Sequence, residues 1–116
     1  MRIRIAGRFD TVGVAAMLVP TNDAFFAVNG VRVPGADETV TLFSPAYDAG
    51  TEANNERCAQ IPGPPPVCQG EGFNPSRAGA EGYVHVHRGM HGSPDLEAAT
   101  YDWRNPVARL DIRRAR

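Results

Sequence analysis

The sequence lacks lysine, carries only two cysteines and one tryptophan, and contains no long apolar run. Its twelve basic residues are all arginines, a bias that we attribute to genomic base composition. With thirteen acidic residues the formal net charge is −1, so no overall field favours nucleic acid or an anionic membrane. The sequence also shows no nucleophilic elbow, phosphate-binding glycine loop or Ser/His/Asp order, and we therefore predict that the protein is not an enzyme.

The longest uncharged run near the N-terminus, residues 11–22, is too short for a transmembrane helix, which needs about 20 apolar residues. Arginines precede this run, as they do in a signal peptide. However, Asp10 lies directly before it, and Pro20 rather than a small-residue cleavage site follows. The run is therefore predicted to be a strand, and no signal peptide is visible.

The two cysteines, Cys58 and Cys68, flank the proline-rich stretch IPGPPP. Two cysteines cannot form a structural zinc site unaided, and their spacing is not that of a redox motif. A disulfide that closes the proline-stiffened loop is favoured over two unpaired thiols. Such a disulfide would indicate an oxidising compartment.

At 116 residues the chain is expected to form a single domain with a modest core. Twelve glycines and ten prolines divide it into short alternating or β-branched runs, the pattern of an all-β fold. In the clearest run, Ala108, Leu110 and Ile112 alternate with charged residues and define one apolar face. Tyr101 and Trp103, just before this run, are expected to pack in the core or at a corner. The predicted strands are residues 2–5, 12–19, 24–28, 39–43, 82–88 and 107–113.

Three further predictions concern turns and loops. Asn29-Gly30 is a strong signal for a tight hairpin turn, because both residues tolerate positive φ. A helical turn is predicted around residues 94–99, with Ser93 as its cap. Residues 48–82 offer no clear element, and a loop of that length in a small domain is usually functional or disordered.

An acidic stretch, YDAGTEANNE, occupies residues 47–56. It supplies Asp48, Glu52 and Glu56 within one loop, and carboxylates are preferred ligands of Ca²⁺. Asp23, in a second acidic loop, would meet this stretch if the adjoining strands paired. The spacing is not that of a helix–loop–helix calcium motif, and taken alone it also fits a solvated polar turn.

The histidines form a second candidate site. His85 and His87 lie two residues apart on one face of a predicted strand, and His91 follows shortly after. Imidazoles that point the same way could bind zinc or copper with a third ligand. The alternative, favoured because the sequence shows no nearby cysteine or matched carboxylate, is a polar aromatic face beside Tyr83 that binds no metal.

The stretches MLVPTNDAFFAVNG, PAYDAGTEANNE, IPGP, GYVHVHRGMHG and YDWRNPVARL follow one another in the order of the spondin N-terminal domain family. From about residue 14 to residue 113 the chain resembles the bacterial branch of that family, whose domain also occurs in the matrix proteins F-spondin and mindin. The resemblance implies an antiparallel β-sandwich similar to calcium-dependent membrane-targeting sandwich domains. Family members carry additional strands before these stretches, so the chain is expected to be N-terminally short relative to the family.

The resemblance also implies a calcium site, whose ligand positions fall on Asp23, Asp48 and Glu52. The animal domains have aspartate where this chain has Glu52, and the longer side chain keeps bidentate ligation within reach. Ordinary loop surface is expected for the following residues, which match no ligand position: Asn54, Asn55 and Glu56.

From this resemblance we expect a non-enzymatic, extracytoplasmic or secreted calcium-binding adhesion or interaction module, in which calcium orders the loops around Asp23 and residues 48–52. Its partner would be an unidentified protein or glycan at the cell surface or in the matrix. Two alternatives stay open. One is a zinc- or copper-binding protein that uses His85, His87 and His91, and the other is a purely structural envelope or matrix domain without metal.

Overall fold

In a computed structural model, which describes residues 1–5, 7–63, 67–68, 70, 78–92 and 95–114, six strands form two antiparallel sheets. The larger sheet has the order β1 (Thr11–Met17), β2 (Ala24–Arg32), β4 (Tyr47–Asp48) and β5 (His85–Val86). The smaller sheet pairs β3 (Thr39–Ser44) with β6 (Ala108–Arg113). The prediction of an all-β fold is confirmed, whereas the packing of a sandwich stays a prediction.

Most predicted strands are present, and the alternating apolar face of β6 is confirmed, because every second residue from Ala108 is half-buried. The predicted strand 82–88 is shorter and contains only His85–Val86. The predicted strand 2–5 is wrong, since these residues lie outside both sheets with Ile3 and Ile5 exposed. The predicted helical turn forms slightly later, as the α-helix α1 (Ala98–Tyr101), and its expected cap, Ser93, lies outside the described residues.

Asn29-Gly30 does not form the predicted hairpin turn, because β2 continues through both residues. Along the β1–β2 ladder, Val12 pairs with Val31 and Val14 pairs with Val28, so β2 carries one extra residue between these pairs. Gly30 has a φ of +65°, and the left-handed residue is accommodated as a β-bulge. The local sequence correctly indicated positive φ, but only the presence of β1 beside it decides between a turn and a bulge.

Ser44 connects the two sheets. Its buried hydroxyl accepts a hydrogen bond from the Ala27 N–H at 3.1 Å and donates to the Ala27 carbonyl at 3.0 Å, so β3 is tied to the middle of β2. Two residues later, the Ala46 N–H donates to Asn105 Oδ1 at 2.8 Å. These contacts fix the point at which β4 begins and place Asp48 beside the start of β2.

The main cluster of buried apolar side chains lies outside the strands, and it comprises Ile61, Cys68, Met90 and Leu96 with Cys58, Val67, Tyr101 and Trp103 packed against it. The predicted core packing of Tyr101 and Trp103 is confirmed. Cys58 and Cys68 form the predicted disulfide, which stabilises the fold by closing a loop. The region 48–82 therefore supplies much of the core, although among its described residues it contains little regular structure beyond β4 and the 3₁₀ helix Cys58–Gln60.

Gly30 and Gly50 have nearly equal positive φ but differ in the space around them. A Cβ at Gly30 would meet open space, whereas a Cβ at Gly50 would lie 2.3 Å from the Tyr83 carbonyl oxygen. We expect Gly30→Ala to lower the free energy of unfolding by about 1 kcal/mol through backbone strain alone. Gly50→Ala should lower the free energy of unfolding by about 3 kcal/mol, because steric overlap with Tyr83 adds to the backbone strain. Denaturant unfolding of both variants measures the two free energies. An equal decrease in both would contradict the close approach of Gly50 to Tyr83.

Candidate metal centre

The two acidic loops meet where β2 begins and β4 ends. Ala24 pairs with Asp48 in the β2–β4 ladder, so the strands that adjoin the two loops are paired, as a meeting of the loops requires. The Ala49 N–H donates to the Asp23 carbonyl oxygen at 3.3 Å. A second contact joins the loops further along, since the Glu56 N–H donates to Asn22 Oδ1 at 3.2 Å. The structure thus brings Asp23 against the stretch that carries Asp48 and Glu52.

The Asp23 carboxylate is 4% exposed, and its two oxygens have unequal surroundings. Oδ2 accepts three hydrogen bonds, from the Thr51 N–H at 2.7 Å, the Thr51 hydroxyl at 2.9 Å and the Glu52 N–H at 3.0 Å. Oδ1 is buried and has no hydrogen-bond partner among the described residues. One oxygen therefore fastens the loop, and the other is left available to a ligand.

Asp48 is fully buried, at 0% exposure. Its Oδ1 accepts the Gly50 N–H at 2.7 Å, and its Oδ2 accepts the side-chain amide of Asn54. Two imidazoles face the same Oδ2, with His85 Nε2 at 3.8 Å and His87 Nε2 at 3.9 Å. Neutral donors thus hold both oxygens of Asp48, and two histidines lie against its Oδ2.

Glu52 is also buried, at 6% exposure, and its N–H is one of the donors to Asp23. The burial of Asp48 and Glu52 argues against a solvated polar turn in this stretch. The three predicted ligands therefore occupy one buried acidic region. Of the three, Asp48 alone belongs to the group of described side chains whose ligand atoms lie close together.

The closest group of potential ligands in the described part of the chain is Asp48, Glu81 and His85, whose ligand atoms all lie within 4.8 Å of one another. Asp48 and His85 are register partners in the β4–β5 ladder, and the Gly82 N–H donates to the Gly50 carbonyl at 2.8 Å. Sequence reasoning missed Glu81, because it lies in a segment without a predicted element and meets Asp48 only through this long-range pairing.

His87 is buried and both of its ring nitrogens are engaged. Nδ1 accepts the Gly89 N–H at 3.0 Å, so in the neutral ring Nε2 carries the proton and donates to Asn54 Oδ1 at 3.1 Å. The ring also packs on Trp103, with centroids 5.0 Å apart. Burial lowers the pKa of His87 below its usual 6.5, against the opposing attraction of Asp48. His87 is thus a neutral support of the site.

Glu56, expected as loop surface, is buried at 3% exposure, and that expectation is wrong. Its carboxylate accepts the backbone N–H groups of His91 at 2.6 Å and Gly92 at 2.8 Å, and it also lies 3.2 Å from His91 Nδ1. Glu56 therefore ties residues 91–92 to the acidic loop. His91 is directed to this carboxylate, and it does not belong to the group around Asp48.

No family model, curated protein or solved structure matches this chain, so the resemblance to the spondin N-terminal domain stays a prediction. Among the residues that the structure describes, no helix has the length and apolarity needed to cross a membrane.

The lowered pKa of His87 predicts a pH dependence of stability. Above about pH 6.5 the ring is neutral in both the folded and the unfolded chain, and its contribution is fully present. As the pH falls below this value the unfolded chain binds the proton more readily, so the free energy of unfolding decreases until the folded-state pKa is reached. Denaturant unfolding without added metal should show a smaller loss between about pH 7.5 and 5.5 for His87→Gln than for the unmodified chain.

A direct control is the NMR titration of the His87 ring. We expect it to titrate below 6.5. Titration at or above this value, or an equal pH dependence in His87→Gln, would contradict the buried neutral imidazole.

Proposed function

We propose that the protein is a non-enzymatic, extracytoplasmic calcium-binding module in which the ion orders the loops around Asp23, Asp48 and Glu52. The observation that carries the proposal is the Asp23 carboxylate, whose buried Oδ1 has no hydrogen-bond partner among the described residues while Oδ2 accepts three. Leaving a buried charged oxygen unpaired is costly. A cation bound at this oxygen would remove that cost.

The local charge supports a divalent ion. Arginines of the described residues form their ion pairs with Asp10 and Asp111, both at the surface, and none pairs with Asp23 or Asp48. Two buried carboxylates at neighbouring positions repel each other unless a positive charge lies between them. A dication bound to both would neutralise this repulsion.

The chemistry of the predicted ligands favours calcium. Ca²⁺ takes six to eight oxygen ligands in flexible geometry, from mono- or bidentate carboxylates, backbone carbonyls and water. Asp23, Asp48 and Glu52 would supply three carboxylates to such a shell. Mg²⁺ demands a tighter octahedral shell and fits a flexible loop less well.

Two further observations support an extracytoplasmic interaction module. The Cys58–Cys68 disulfide is of the kind that persists in oxidising compartments. Next to the site, β5 is an edge strand of the larger sheet; Val86 in this strand and Tyr83 and Val84 directly before it are exposed. Calcium that fixes the loop over this edge would hold an apolar and aromatic surface in one conformation for a protein or glycan partner.

Asp23→Asn tests the calcium site with little disturbance, because asparagine retains an oxygen that can accept the Thr51 and Glu52 hydrogen bonds. A ligand present at a hundred times its Kd stabilises the folded state by about 2.7 kcal/mol. We expect calcium to raise the melting temperature of the unmodified chain relative to chelator, and this shift to be lost in Asp23→Asn. Differential scanning calorimetry with calcium and with chelator provides the measurement.

Asp10→Asn is the matched control, since it removes an exposed carboxylate from the surface pair with Arg32. It should respond to calcium as the unmodified chain does. An equal calcium shift in Asp23→Asn would place the ion elsewhere, and no shift in the unmodified chain would favour a structural domain without metal.

A further inference from the structure

We propose that Asp48, Glu81 and His85 form a second metal site, selective for zinc or a similar divalent transition metal. The three side chains offer ligand atoms that all lie within 4.8 Å of one another. Asp48 is fully buried and the other two are half-buried, so the group opens toward solvent on the side of Glu81 and His85. An ion can therefore reach a carboxylate that is otherwise enclosed.

The orientation of His85 is that of a metal ligand. Its Nδ1 lies 3.3 Å from the Tyr83 carbonyl oxygen, which can only accept, so Nδ1 donates and the lone pair of the neutral ring is on Nε2. Metal-binding histidines usually donate their other ring N–H to a carbonyl or carboxylate in this way. Nε2 is also the atom that faces Asp48 Oδ2, at 3.8 Å.

Glu81 provides an independent indication. Its Oε2 is buried and has no hydrogen-bond partner among the described residues. A buried carboxylate oxygen without a donor is unfavourable in the metal-free protein. The Glu81 carboxylate also lies close to both Asp48 and His85. An ion shared by the three residues would therefore give this oxygen a partner.

The separation of the His85 and Asp48 ligand atoms suits a small ion after a modest adjustment. Two ligands bound to zinc at about 2.0 Å lie about 3.3 Å apart at a tetrahedral angle. The observed distance of 3.8 Å between His85 Nε2 and Asp48 Oδ2 needs to close by only a fraction of an ångström. Three protein ligands would leave a fourth position to water.

The ligand set also separates this site from the proposed calcium site. Imidazole nitrogen suits zinc, copper and nickel, whereas Ca²⁺ binds oxygen ligands. The two sites share Asp48 but differ in their remaining ligands, with Asp23 and Glu52 on one side and Glu81 and His85 on the other. The zinc site therefore does not depend on the calcium proposal.

This assignment differs from a site built on the three histidines. His87 donates from Nε2 and accepts at Nδ1, and His91 is directed to Glu56. Each of these rings is held by a different protein partner. The His85 lone pair, on Nε2, faces Asp48 Oδ2, and the Glu81 carboxylate of the same group has an oxygen, Oε2, with no hydrogen-bond partner among the described residues.

The test is zinc binding by isothermal titration calorimetry in calcium-free buffer, with Co²⁺ absorption as a second readout. We expect His85→Gln and Glu81→Gln each to weaken zinc binding at least about tenfold, since even the loss of a group behind a ligand costs that much. His91→Gln is the matched control, and it should bind zinc as the unmodified chain does. The Co²⁺ spectrum of the unmodified chain should show nitrogen ligation that His85→Gln lacks.

Asp23→Asn distinguishes the two proposals, because it should lose the calcium response and retain zinc binding. His85→Gln should show the reverse, and its retained calcium response and circular dichroism would demonstrate that it is folded. The zinc site is overturned if the unmodified chain does not bind zinc, if His85→Gln binds it equally well, or if His91→Gln loses as much affinity. Failure of calcium alone would overturn the proposed function and leave the zinc site standing.

Discussion

Two carboxylates are buried where β2 and β4 meet: Asp48, which pairs with Ala24, and Asp23, directly before β2. No arginine of the described residues pairs with either. Burying a charge is unfavourable unless hydrogen bonds or an opposite charge compensate it. The loop that follows β4 supplies these hydrogen bonds, from the backbone of residues 50–52 and the side chains of Thr51 and Asn54. The conformation of this loop is therefore determined by the carboxylates that it encloses.

The same region is connected to the apolar core through His87. Its ring packs on Trp103, which lies against the core cluster, and its Nε2 donates to Asn54, whose amide donates to Asp48. A neutral imidazole suits this position, because a second proton on Nδ1 would oppose the Gly89 N–H. A ring contact and two hydrogen bonds thus connect Trp103 to the buried carboxylate.

Local patterns predicted the features that depend on local physics. The alternation in β6 requires only a period of two. Asp23 and Asp48 were singled out as ligands by the family resemblance, and that role stays a prediction. The bulge at Asn29-Gly30 was mistaken for a turn, because the local preference for positive φ is common to both. Glu56 and Glu81 were missed for a different reason. Their contacts with residues 91–92 and with Asp48 join distant segments that carry no periodic pattern, so no local rule predicts them.

The position of Asp48 bears on whether one or two ions can be bound. Two dications that share a carboxylate repel each other strongly in a buried site, and joint binding requires that their charge be balanced by nearby ligands. Asp23, Asp48, Glu52 and Glu81 together provide four carboxylates, which equals the charge of two dications. Asp48 has an oxygen toward the backbone of the acidic loop and an oxygen toward the imidazoles. The carboxylates of the region would thus balance the charge of both ions. Selectivity would come from the remaining ligands: the imidazole of His85 on the side of Glu81 favours zinc, and the all-oxygen set on the side of Asp23 and Glu52 favours calcium.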